Sequence, residues 1–330
     1  MSDVKILLVK TSSMGDILHT LPALTDAKQY NPDLMVDWVV EENFSQIPSW
    51  HPSIRQVIPV ALRRWRKSWF SQETKEEKIE FIKTLQSNNY DLVIDAQGLI
   101  KSAFFIVRHA KGTKHGYNFK SAREGLASLF YDIKHPVSWE QHAVNRIREL
   151  FSKTMNYPLP TTQGDYSIAD HFLHQDAANN LNMNTQPYLV FLHSTTRDEK
   201  HWPEEYWTSL LEQVHTLGFK VKLPWGTSAE KDRAKRLASK FNHVTVLPKL
   251  SLAEVANVIA HSTAVISVDT GLSHLTAALS RPNITLFGPT DPKLIGGYGE
   301  NQYSIISETG VLKDLHPSIV FEKLQKIIQL

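Results

Sequence analysis

The stretch from residue 264 to residue 292 most constrains what this chain can fold into. Residues 265–268 form an apolar run rich in β-branched side chains, which is typical of a strand buried on both faces. A small polar turn at 269–271 ends the run, and leucines up to Leu279 then recur at helical spacing. A second apolar run follows at 284–287. The pattern predicts a strand, a turn, a helix and a strand in immediate succession.

A strand that turns sharply into a helix leaves backbone N–H groups pointing into a crevice, where they and the helix dipole favour an anion such as phosphate. Thr270 adds a hydroxyl at this turn, and His274 lies about one helical turn further on the same face. The alternative is that Asp269 and Thr270 only cap the helix and that His274 is an ordinary surface residue. This stretch by itself leaves both interpretations open.

The amino terminus repeats the same layout. Residues 4–10 form an apolar run, residues 11–16 form a Ser/Thr/Gly loop that ends in Asp16, and a helical pattern follows. In an open α/β sheet the ligand crevice lies outside the carboxyl ends of the strands, where such loops collect. Asp16 is therefore placed where chemistry occurs in this class of fold, and its alternative role is to cap the helix.

Strand and helix patterns alternate through both halves of the chain. Such alternation predicts a parallel sheet covered by helices on both faces. A chain of 330 residues is long for a single core, and the segment 157–165 has the proline, glycine and polar content of a linker. We therefore expect two doubly wound α/β domains, residues 1–165 and 166–330, that face each other across a cleft.

Composition excludes several functions. The formal net charge is only +2 and there is no cysteine, so we expect neither a general polyanion binder nor a thiolate site. The sequence lacks GxGxxG after a strand, GxxxxGK, HExxH and GxSxG, which disfavours NAD enzymes, P-loop kinases, zincins and serine hydrolases. There is no signal-peptide pattern and no apolar run of membrane-spanning length, which indicates a cytoplasmic protein.

Residues 62–70, LRRWRKSWF, combine four cations with three aromatic side chains. A charged run is usually a solvated face, but large exposed aromatics tend to mark a contact surface. Arginine matches the oxygens of carboxylates and phosphates, so an anionic acceptor or an anionic lipid head group fits this segment. Nucleic acid is disfavoured because no second basic cluster of this density is present.

Residues 194–203 follow the first strand of the second half and carry hydroxyls together with Arg197 and Lys200. Cations at such a place can neutralise the charge that builds up on a phosphate leaving group. The alternative is an ordinary polar loop with Pro203 in the first turn of the next helix.

Five segments together resemble a known family: KTSSMGDILHTLPAL at 10–24, VIDAQGLIKSA at 93–103, HSTTRDEKHWP at 193–203, VDTGLSHLTAAL at 268–279 and FGPTDP at 287–292. They resemble the glycosyltransferase family of the bacterial lipopolysaccharide heptosyltransferases, over nearly the whole chain and in the same order. The resemblance implies a GT-B fold of two Rossmann-like domains, with the amphipathic helix at 317–330 packing back on the amino-terminal domain.

The resemblance also implies an activity. An inverting enzyme of this kind moves heptose from ADP-L-glycero-D-manno-heptose, held by the carboxy-terminal domain, to a Kdo residue of Kdo2-lipid A, held by the amino-terminal domain. It works without a metal or cofactor, binds no nucleic acid, and contacts the cytoplasmic face of the inner membrane peripherally. Two alternatives stay open: an enzyme that adds the second heptose, and a GT-B-like nucleotide-sugar epimerase or non-catalytic sugar-nucleotide binder.

Residue roles follow from the same resemblance. Asp16 matches the general base and Lys200 matches the cation that balances the diphosphate charge. The implied donor-binding residues are Thr195, Thr196, Lys200, Glu230, Leu250, Asp269, Thr270, Gly271 and His274. The implied acceptor-binding residues are Ser13, Arg63, Arg64, Arg66, Lys67 and Arg123.

Overall fold

A computed structural model describes residues 4–178 and 186–328 of the chain. The chain divides into two compact units, Met1–Ser167 and Ile168–Leu330. The division falls two residues beyond the predicted linker at 157–165. None of the described helices combines the length and the apolar character that crossing a bilayer requires.

The first unit alternates strands and helices. Its strands are β1 (Lys5–Val9), β2 (Met35–Glu41), β3 (Ile54–Val60), β4 (Asn89–Asp95), β5 (Lys111–Tyr117) and β6 (Ile133–His135). Its helices are α1 (Met14–Leu18), α2 (Leu21–Tyr30), α3 (Leu62–Trp65), α4 (Gln72–Ser87), α5 (Ile100–Phe105) and α6 (Ala143–Met155). A 3₁₀ helix at Gly125–Phe130 lies between β5 and β6.

The second unit repeats this alternation. Its strands are β7 (Tyr188–Leu192), β8 (Lys220–Leu223), β9 (Val244–Val246), β10 (Ala264–Val268), β11 (Asn283–Phe287) and β12 (Gln302–Ile306). Its helices are α7 (Ala169–Ala178), α8 (Glu204–His215), α9 (Ser228–Ala238), α10 (Leu252–Ala260), α11 (Gly271–Ala278) and α12 (Pro317–Ile328).

Within the described ranges each unit forms one six-stranded sheet in which all strand pairs are parallel. The first sheet has the order β3-β2-β1-β4-β5-β6, and the second has the equivalent order β9-β8-β7-β10-β11-β12. This is the Rossmann order, and the predicted pair of doubly wound domains is confirmed. The strand order reverses between β1 and β4 and between β7 and β10, and ligand sites in such sheets lie at this reversal.

The central strands are buried because helices cover both faces of each sheet. In β1, Leu7 and Val9 pack with Phe81 and Leu85 of α4 in one core. Because side chains alternate along a strand, the equally buried Leu8 belongs to the opposite face. Burial of a large aliphatic side chain stabilises the fold by about 1.5–3 kcal/mol, which explains the near-continuous apolar runs in the sequence.

The core of the second unit is built around tryptophan. Trp202 and Trp207 are fully buried, with ring centroids 5.0 Å apart, and Trp207 also contacts Phe191 of β7. The indole N–H of Trp202 donates to the Leu315 carbonyl oxygen at 2.9 Å, which satisfies its one polar group. This bond ties the start of α8 to the segment that precedes α12.

The carboxy-terminal helix α12 buries its apolar face within the second unit. Its buried residues Val320 and Leu324 belong to the core of that unit, and α12 packs against α8 and β11. Packing of this helix on the amino-terminal domain stays a prediction. The amphipathic pattern identified the buried face, but it contained no information about which sheet would cover that face.

The side chain of His51 is buried in the first unit with both ring nitrogens engaged. Its Nδ1 accepts from the Ser53 N–H at 3.1 Å, so its Nε2 carries the proton and donates to Thr25 Oγ1 at 3.0 Å. Burial lowers the pKa of His51 to about 4; the Asp165 charge opposes this shift and the Lys28 charge adds to it. The fold therefore requires the neutral imidazole.

This histidine predicts an acid sensitivity. In the unfolded chain His51 binds a proton near pH 6.5, whereas in the fold it does so only near pH 4. Since the unfolded state binds more protons between these values, stability falls as the pH falls through that window. We expect His51 to account for about 2 kcal/mol of the stability lost between neutral pH and pH 5. Urea unfolding midpoints of wild type and His51→Gln at the two pH values measure this.

His316 is exposed and provides the matched control. The variant His316→Gln should keep the wild-type pH dependence, whereas His51→Gln should show a shallower one. An unchanged slope in His51→Gln would contradict the assignment.

Candidate active site

The first candidate site lies where the strand order reverses in the first sheet, at the carboxyl ends of β1 and β4. The amide oxygen of Gln97, just after β4, accepts from the backbone N–H groups of Thr11 and Ser12 at 2.9 and 3.1 Å. These bonds hold the loop that follows β1 against the loop that follows β4. The loop then enters α1, which carries Asp16 in its first turn.

Asp16 is held from two sides. Its Oδ2 accepts from the Ser13 N–H at 2.8 Å and from the Ser13 hydroxyl at 3.1 Å. Its Oδ1 lies 3.6 Å from the Nζ of Lys10, which is almost fully buried and also donates to the Ala96 carbonyl oxygen at 3.0 Å. The Asp16 side chain is nevertheless 30% exposed, so a bound molecule can reach it. The expected capping role and an accessible carboxylate therefore coexist.

The electrostatics of this pair favour an ionised carboxylate. Burial acts to raise the pKa of Asp16, but the charge of Lys10, the Ser13 hydrogen bonds and the charge of Arg123 outweigh it, so that the pKa lies below its usual value. Burial lowers the pKa of Lys10, and the neighbouring carboxylates of Asp16 and Asp95 only partly oppose this. Each group depends on its partner to stay charged.

Lys10 and Gln97 were not selected from the sequence as site residues. Lys10 ends the apolar run at 4–10, and Gln97 lies within the VIDAQGLIKSA segment. The available signal was polar side chains directly after two buried strands, because parallel strands bring their carboxyl ends to the same edge of the sheet. The pairing of these particular strands was not readable from one sequence.

A basic groove of about 520 Å³ opens at the same edge of the first sheet. It is lined by residues that follow β2, β3 and β4: Glu42, Asn43, Leu62, Arg63, Arg64, Arg66, Lys67 and Lys101. The structure thus gathers the four predicted cations of the 62–70 segment at one groove. It adds Lys101, which the sequence analysis did not select although it lies within the VIDAQGLIKSA segment.

The members of the 62–70 segment differ in their surroundings. Arg64 forms ion pairs with Glu42 at 3.1 Å and Glu77 at 2.9 Å, and the hydrogen bonds to these carboxylates raise its pKa. Trp65 is buried in the core, whereas Phe70 is 86% exposed. The segment is therefore neither a uniformly solvated face nor a uniform contact surface.

Arg123 approaches the first site from another loop. Gly98 has a φ of +65°, and a Cβ placed on it would lie 3.3 Å from the backbone nitrogen of Arg123. The Glu124 N–H donates to the Gly98 carbonyl oxygen at 3.0 Å, which holds this backbone against the loop after β4. The exposed Arg123 side chain is one of the charges that lower the pKa of Asp16.

The second candidate site lies at the strand-order reversal of the second sheet, at the carboxyl ends of β7 and β10. Thr195 Oγ1 donates to the Asp269 carbonyl oxygen at 3.2 Å. The Nζ of Lys200 forms a short ion pair with the Asp269 carboxylate, and both side chains are mostly buried. Thr196 lies beside Thr195 in the same loop and is exposed. A lysine ammonium group and a carboxylate thus meet at the edge of the sheet.

Two side chains that the sequence analysis missed support this loop. The Nε2 of His201 lies 2.9 Å from the Thr195 carbonyl oxygen, and its Nδ1 lies 3.2 Å from an Arg233 guanidinium nitrogen. Arg233 also donates to the Trp202 carbonyl oxygen at 2.6 Å. Burial lowers the pKa of Arg233, against the charge of Glu204. Arg233 of α9 and His201 therefore hold the loop that carries Lys200 in place.

The turn after β10 leads directly into α11. Thr270 is the N-cap residue, with extended backbone, and Gly271 begins the helix. The Ser273 hydroxyl donates to the Thr270 carbonyl oxygen at 2.7 Å, which fixes the turn. The first N–H groups of an α-helix lack intrahelical partners, so this terminus can bind an anion. His274 lies half-buried in the first turn, as the spacing predicts.

Glu230 lies in the first turn of α9 and Leu250 lies on the loop before α10, close to two loops that are joined at the carboxyl ends of β8 and β9. The Glu230 carboxylate accepts from the Gly226 N–H at 2.6 Å and caps the start of α9. The indole N–H of Trp225 donates to the Leu247 carbonyl oxygen at 2.6 Å, which holds the two loops together. Leu250 is half-exposed just before α10.

Residues 4–178 and 186–328 contain no group of three or more His, Asp or Glu side chains that is arranged to hold a metal ion. The chemistry described by these two sites is that of carboxylates, lysines, hydroxyls and helix termini. One strand-order reversal carries a carboxylate, and the other carries a lysine beside an anion-binding helix terminus. These are the groups expected for transfer from a phosphate-linked donor.

Comparison with known proteins identifies the class. The family model of glycosyltransferase family 9 (heptosyltransferase) matches residues 79–325, which is most of the chain. The chain therefore belongs to glycosyltransferase family 9, the heptosyltransferase family of the GT-B glycosyltransferases. It is 57% identical over 324 residues to lipopolysaccharide heptosyltransferase 1 of Escherichia coli strain K12, covering 98% of this chain and 100% of the relative.

Solved structures agree with this assignment. The E. coli heptosyltransferase WaaC with ADP matches with a TM-score of 0.94 and 56% identity, covering 98% of this chain and all of that chain. WaaC with ADP-2-deoxy-2-fluoro heptose matches with a TM-score of 0.92 and 55% identity, covering 98% of this chain and 99% of that one. The predicted family and GT-B fold are confirmed.

The Lys10–Asp16 pair predicts a measurable pKa. Replacing Lys10 by Met removes the cation that favours the carboxylate while the effect of burial remains, so the pKa of Asp16 should rise. Carbon-13 NMR titration of the Asp carboxyl groups, over the acid range in which the protein stays folded, measures this. Lys111→Met, an exposed lysine at the amino end of β5, is the control and should leave the Asp16 titration unchanged. An unchanged pKa in Lys10→Met would contradict the pairing.

Proposed function

We propose that this protein is an inverting heptosyltransferase that moves L-glycero-D-manno-heptose from ADP-heptose to a Kdo residue of Kdo2-lipid A in the lipopolysaccharide inner core. The observation that carries the proposal is the near-full-length similarity to a protein named lipopolysaccharide heptosyltransferase 1. The similarity to WaaC structures with ADP and with an ADP-heptose analogue supports the choice of donor. The two sites at the strand-order reversals supply groups suited to this chemistry.

The second unit is proposed to bind the donor. Lys200 would balance the diphosphate charge. Its present partner, Asp269, would then accept hydrogen bonds from the heptose hydroxyls instead. The terminus of α11 would face the diphosphate through Thr270, Gly271 and His274. Thr195 and Thr196 would bind phosphate or heptose oxygens beside them.

The nucleoside would lie over the joined loops after β8 and β9. Glu230 has one carboxylate oxygen committed to the cap of α9, which leaves the other to accept from the ribose hydroxyls. Leu250 offers a half-exposed apolar surface for adenine. The Trp225 bond to Leu247 keeps the two contacts at a fixed separation.

The first unit is proposed to bind the acceptor in the basic groove. Kdo carries a carboxylate, and the cations Arg63, Arg66, Lys67 and Lys101 are exposed there. Arg64 would take part less directly because two carboxylates already pair with it. Arg123 and Ser13 would contact the acceptor from the loops beside Asp16. These cations would attract the acceptor to the edge of the sheet at which Asp16 lies.

The proposed step is a single displacement. The acceptor oxygen attacks the anomeric carbon of heptose, its proton passes to the Asp16 carboxylate, and the bond from that carbon to the phosphate oxygen breaks as ADP leaves. Inversion requires one base on the side opposite the leaving group, which is the role of Asp16. Lys10 acts through Asp16 by keeping it ionised and oriented. Lys200 stabilises the charge that develops on the diphosphate.

The acceptor is a membrane lipid, and we place the enzyme peripherally on the cytoplasmic face of the inner membrane. Exposed cations of the basic groove suit an anionic lipid surface.

Release of ADP from ADP-heptose, with and without de-acylated Kdo2-lipid A, tests this function. We expect release only with the acceptor, and a product whose mass shows one added heptose. Release only with an already heptosylated core would move the assignment to the enzyme that adds the second heptose. Release without any acceptor would favour an epimerase-like activity, and binding without release would favour a non-catalytic binder.

Asp16→Asn should reduce turnover by roughly 10²–10⁴-fold, because the amide cannot take the acceptor proton. Calorimetry should find ADP binding close to that of wild type, since Asp16 lies outside the proposed donor site. Asp33→Asn, at an exposed aspartate of the same unit, is the control and should keep full turnover. Retained turnover in Asp16→Asn would rule out Asp16 as the base.

Lys200→Met should reduce kcat by roughly 10²–10³-fold, the usual effect of removing one group that stabilises developing charge. Steady-state kinetics with varied ADP-heptose separate this from a change in KM alone. Lys220→Met, an exposed lysine at the opposite edge of the second sheet, is the control. A normal kcat in Lys200→Met would show that leaving-group stabilisation comes from other residues.

A further inference from the structure

An apolar patch formed by Phe119, Leu126 and Leu129 covers part of the surface of the first unit. These side chains are 61%, 54% and 71% exposed. Leu126 and Leu129 are three residues apart in the 3₁₀ helix Gly125–Phe130, so they lie on the same side of it. A Cβ on Gly125 would lie 3.0 Å from the Phe119 ring, which shows that this ring rests on the start of the same helix.

A layer of aromatic rings joins the patch to the basic groove. Phe130 contacts Phe104 of α5 at 6.0 Å between ring centroids, and Phe104 contacts Phe105 at 5.0 Å. Phe105 in turn contacts Trp69 at 5.2 Å. The next residue, Phe70, is 86% exposed. The 3₁₀ helix, α5 and the 62–70 segment therefore lie side by side, with exposed apolar side chains at both ends of the row.

The basic groove lies along the same row. Lys101 lines the groove, and its neighbour Ile100 is bound through its N–H to the Glu124 carboxylate at 2.6 Å. Glu124 immediately precedes the 3₁₀ helix that carries the patch. The patch and the groove are thus connected through one hydrogen bond.

The chain segment that carries the patch is basic. Residues 107–135 contain six Lys and Arg residues against two carboxylates. Both carboxylates are committed to backbone N–H groups, Glu124 to Ile100 and Asp132 to Lys114, each within 3 Å. Lys120 is exposed directly beside Phe119. Large apolar side chains that project among cations match the surface of an anionic bilayer, in which apolar tips enter the acyl boundary and cations contact head groups.

We propose that Phe70, Phe119, Leu126 and Leu129 dock the first unit onto an anionic lipid bilayer, with Lys120 at the head groups. Docking in this way places the basic groove at the membrane surface, where it receives the sugar head group of a lipid acceptor. The second statement rests on the proposed function, whereas the docking itself does not. The occupant of the patch is a lipid surface and not a second copy of this chain, because like copies of so basic a face repel each other.

Co-sedimentation with vesicles tests the docking. The full chain should bind vesicles of phosphatidylcholine and phosphatidylglycerol, and should bind pure phosphatidylcholine much less. The triple variant Phe119→Ser, Leu126→Ser, Leu129→Ser should bind the anionic vesicles at least about tenfold less. Moving even one large apolar side chain from water into the bilayer strengthens binding by about tenfold or more. Lys120→Gln, which removes one positive charge, should weaken binding about fivefold at low salt and little at high salt.

A matched control uses exposed apolar residues of the second unit. The triple variant Ile306→Ser, Val311→Ser, Ile319→Ser removes side chains of comparable exposure and should bind vesicles like wild type. Circular dichroism and gel filtration of all variants verify folding and association state. Equal vesicle binding by wild type and the patch variant would overturn the proposal. A wild-type dimer that the patch variant converts to a monomer would instead assign the patch to a subunit interface.

Turnover separates docking from catalysis. The patch variant should transfer normally to de-acylated acceptor, which is water-soluble, and at least about tenfold more slowly to Kdo2-lipid A embedded in anionic vesicles. Equal losses on both acceptors would contradict a docking role. Absence of transfer by wild type, together with normal vesicle binding, would reject the proposed function and leave the docking surface standing.

Discussion

The strand order of the two sheets is the constraint on which the rest of the structure depends. Parallel strands can be joined only by crossovers, so every strand of a sheet ends at the same edge and every loop after a strand collects there. Where the order reverses, between β1 and β4 and between β7 and β10, neighbouring loops diverge and leave space. Asp16 and Asp269 both lie at such reversals, although the residues around them differ.

Each reversal carries a lysine paired with a carboxylate, and the two pairs suit different tasks. Lys10 is nearly buried and bonded to a backbone carbonyl oxygen, so it is a fixed charge that holds Asp16 ionised. Lys200 lies on a loop and pairs with a carboxylate that borders an anion-binding helix terminus. A fixed lysine suits the tuning of a base, whereas a lysine on a loop suits the exchange of a carboxylate for a phosphate.

In our proposals the first unit combines recognition of an anionic sugar with contact to a lipid surface. The two segments that follow β3 and β4 contribute the cations of the basic groove, and the aromatic layer of α5 supports the neighbouring apolar patch. The three aromatic residues that make the 62–70 segment unusual in composition are therefore divided between core and surface. Trp65 stabilises the core, whereas Phe70 is left at the surface.

The sequence by itself determined the elements and the chemistry at their ends, because buried parallel strands require apolar runs and the turns after them require small polar residues. It thus indicated two Rossmann-like domains, the loop of Asp16 and the loops of Lys200 and Asp269. Only the tertiary structure decided which residues meet, since contacts such as Lys10 with Asp16, Gln97 with Thr11, and Lys101 with the basic groove depend on strand order. For the same reason the amphipathic pattern of α12 gave its buried face, while the sheet that covers it was fixed by packing.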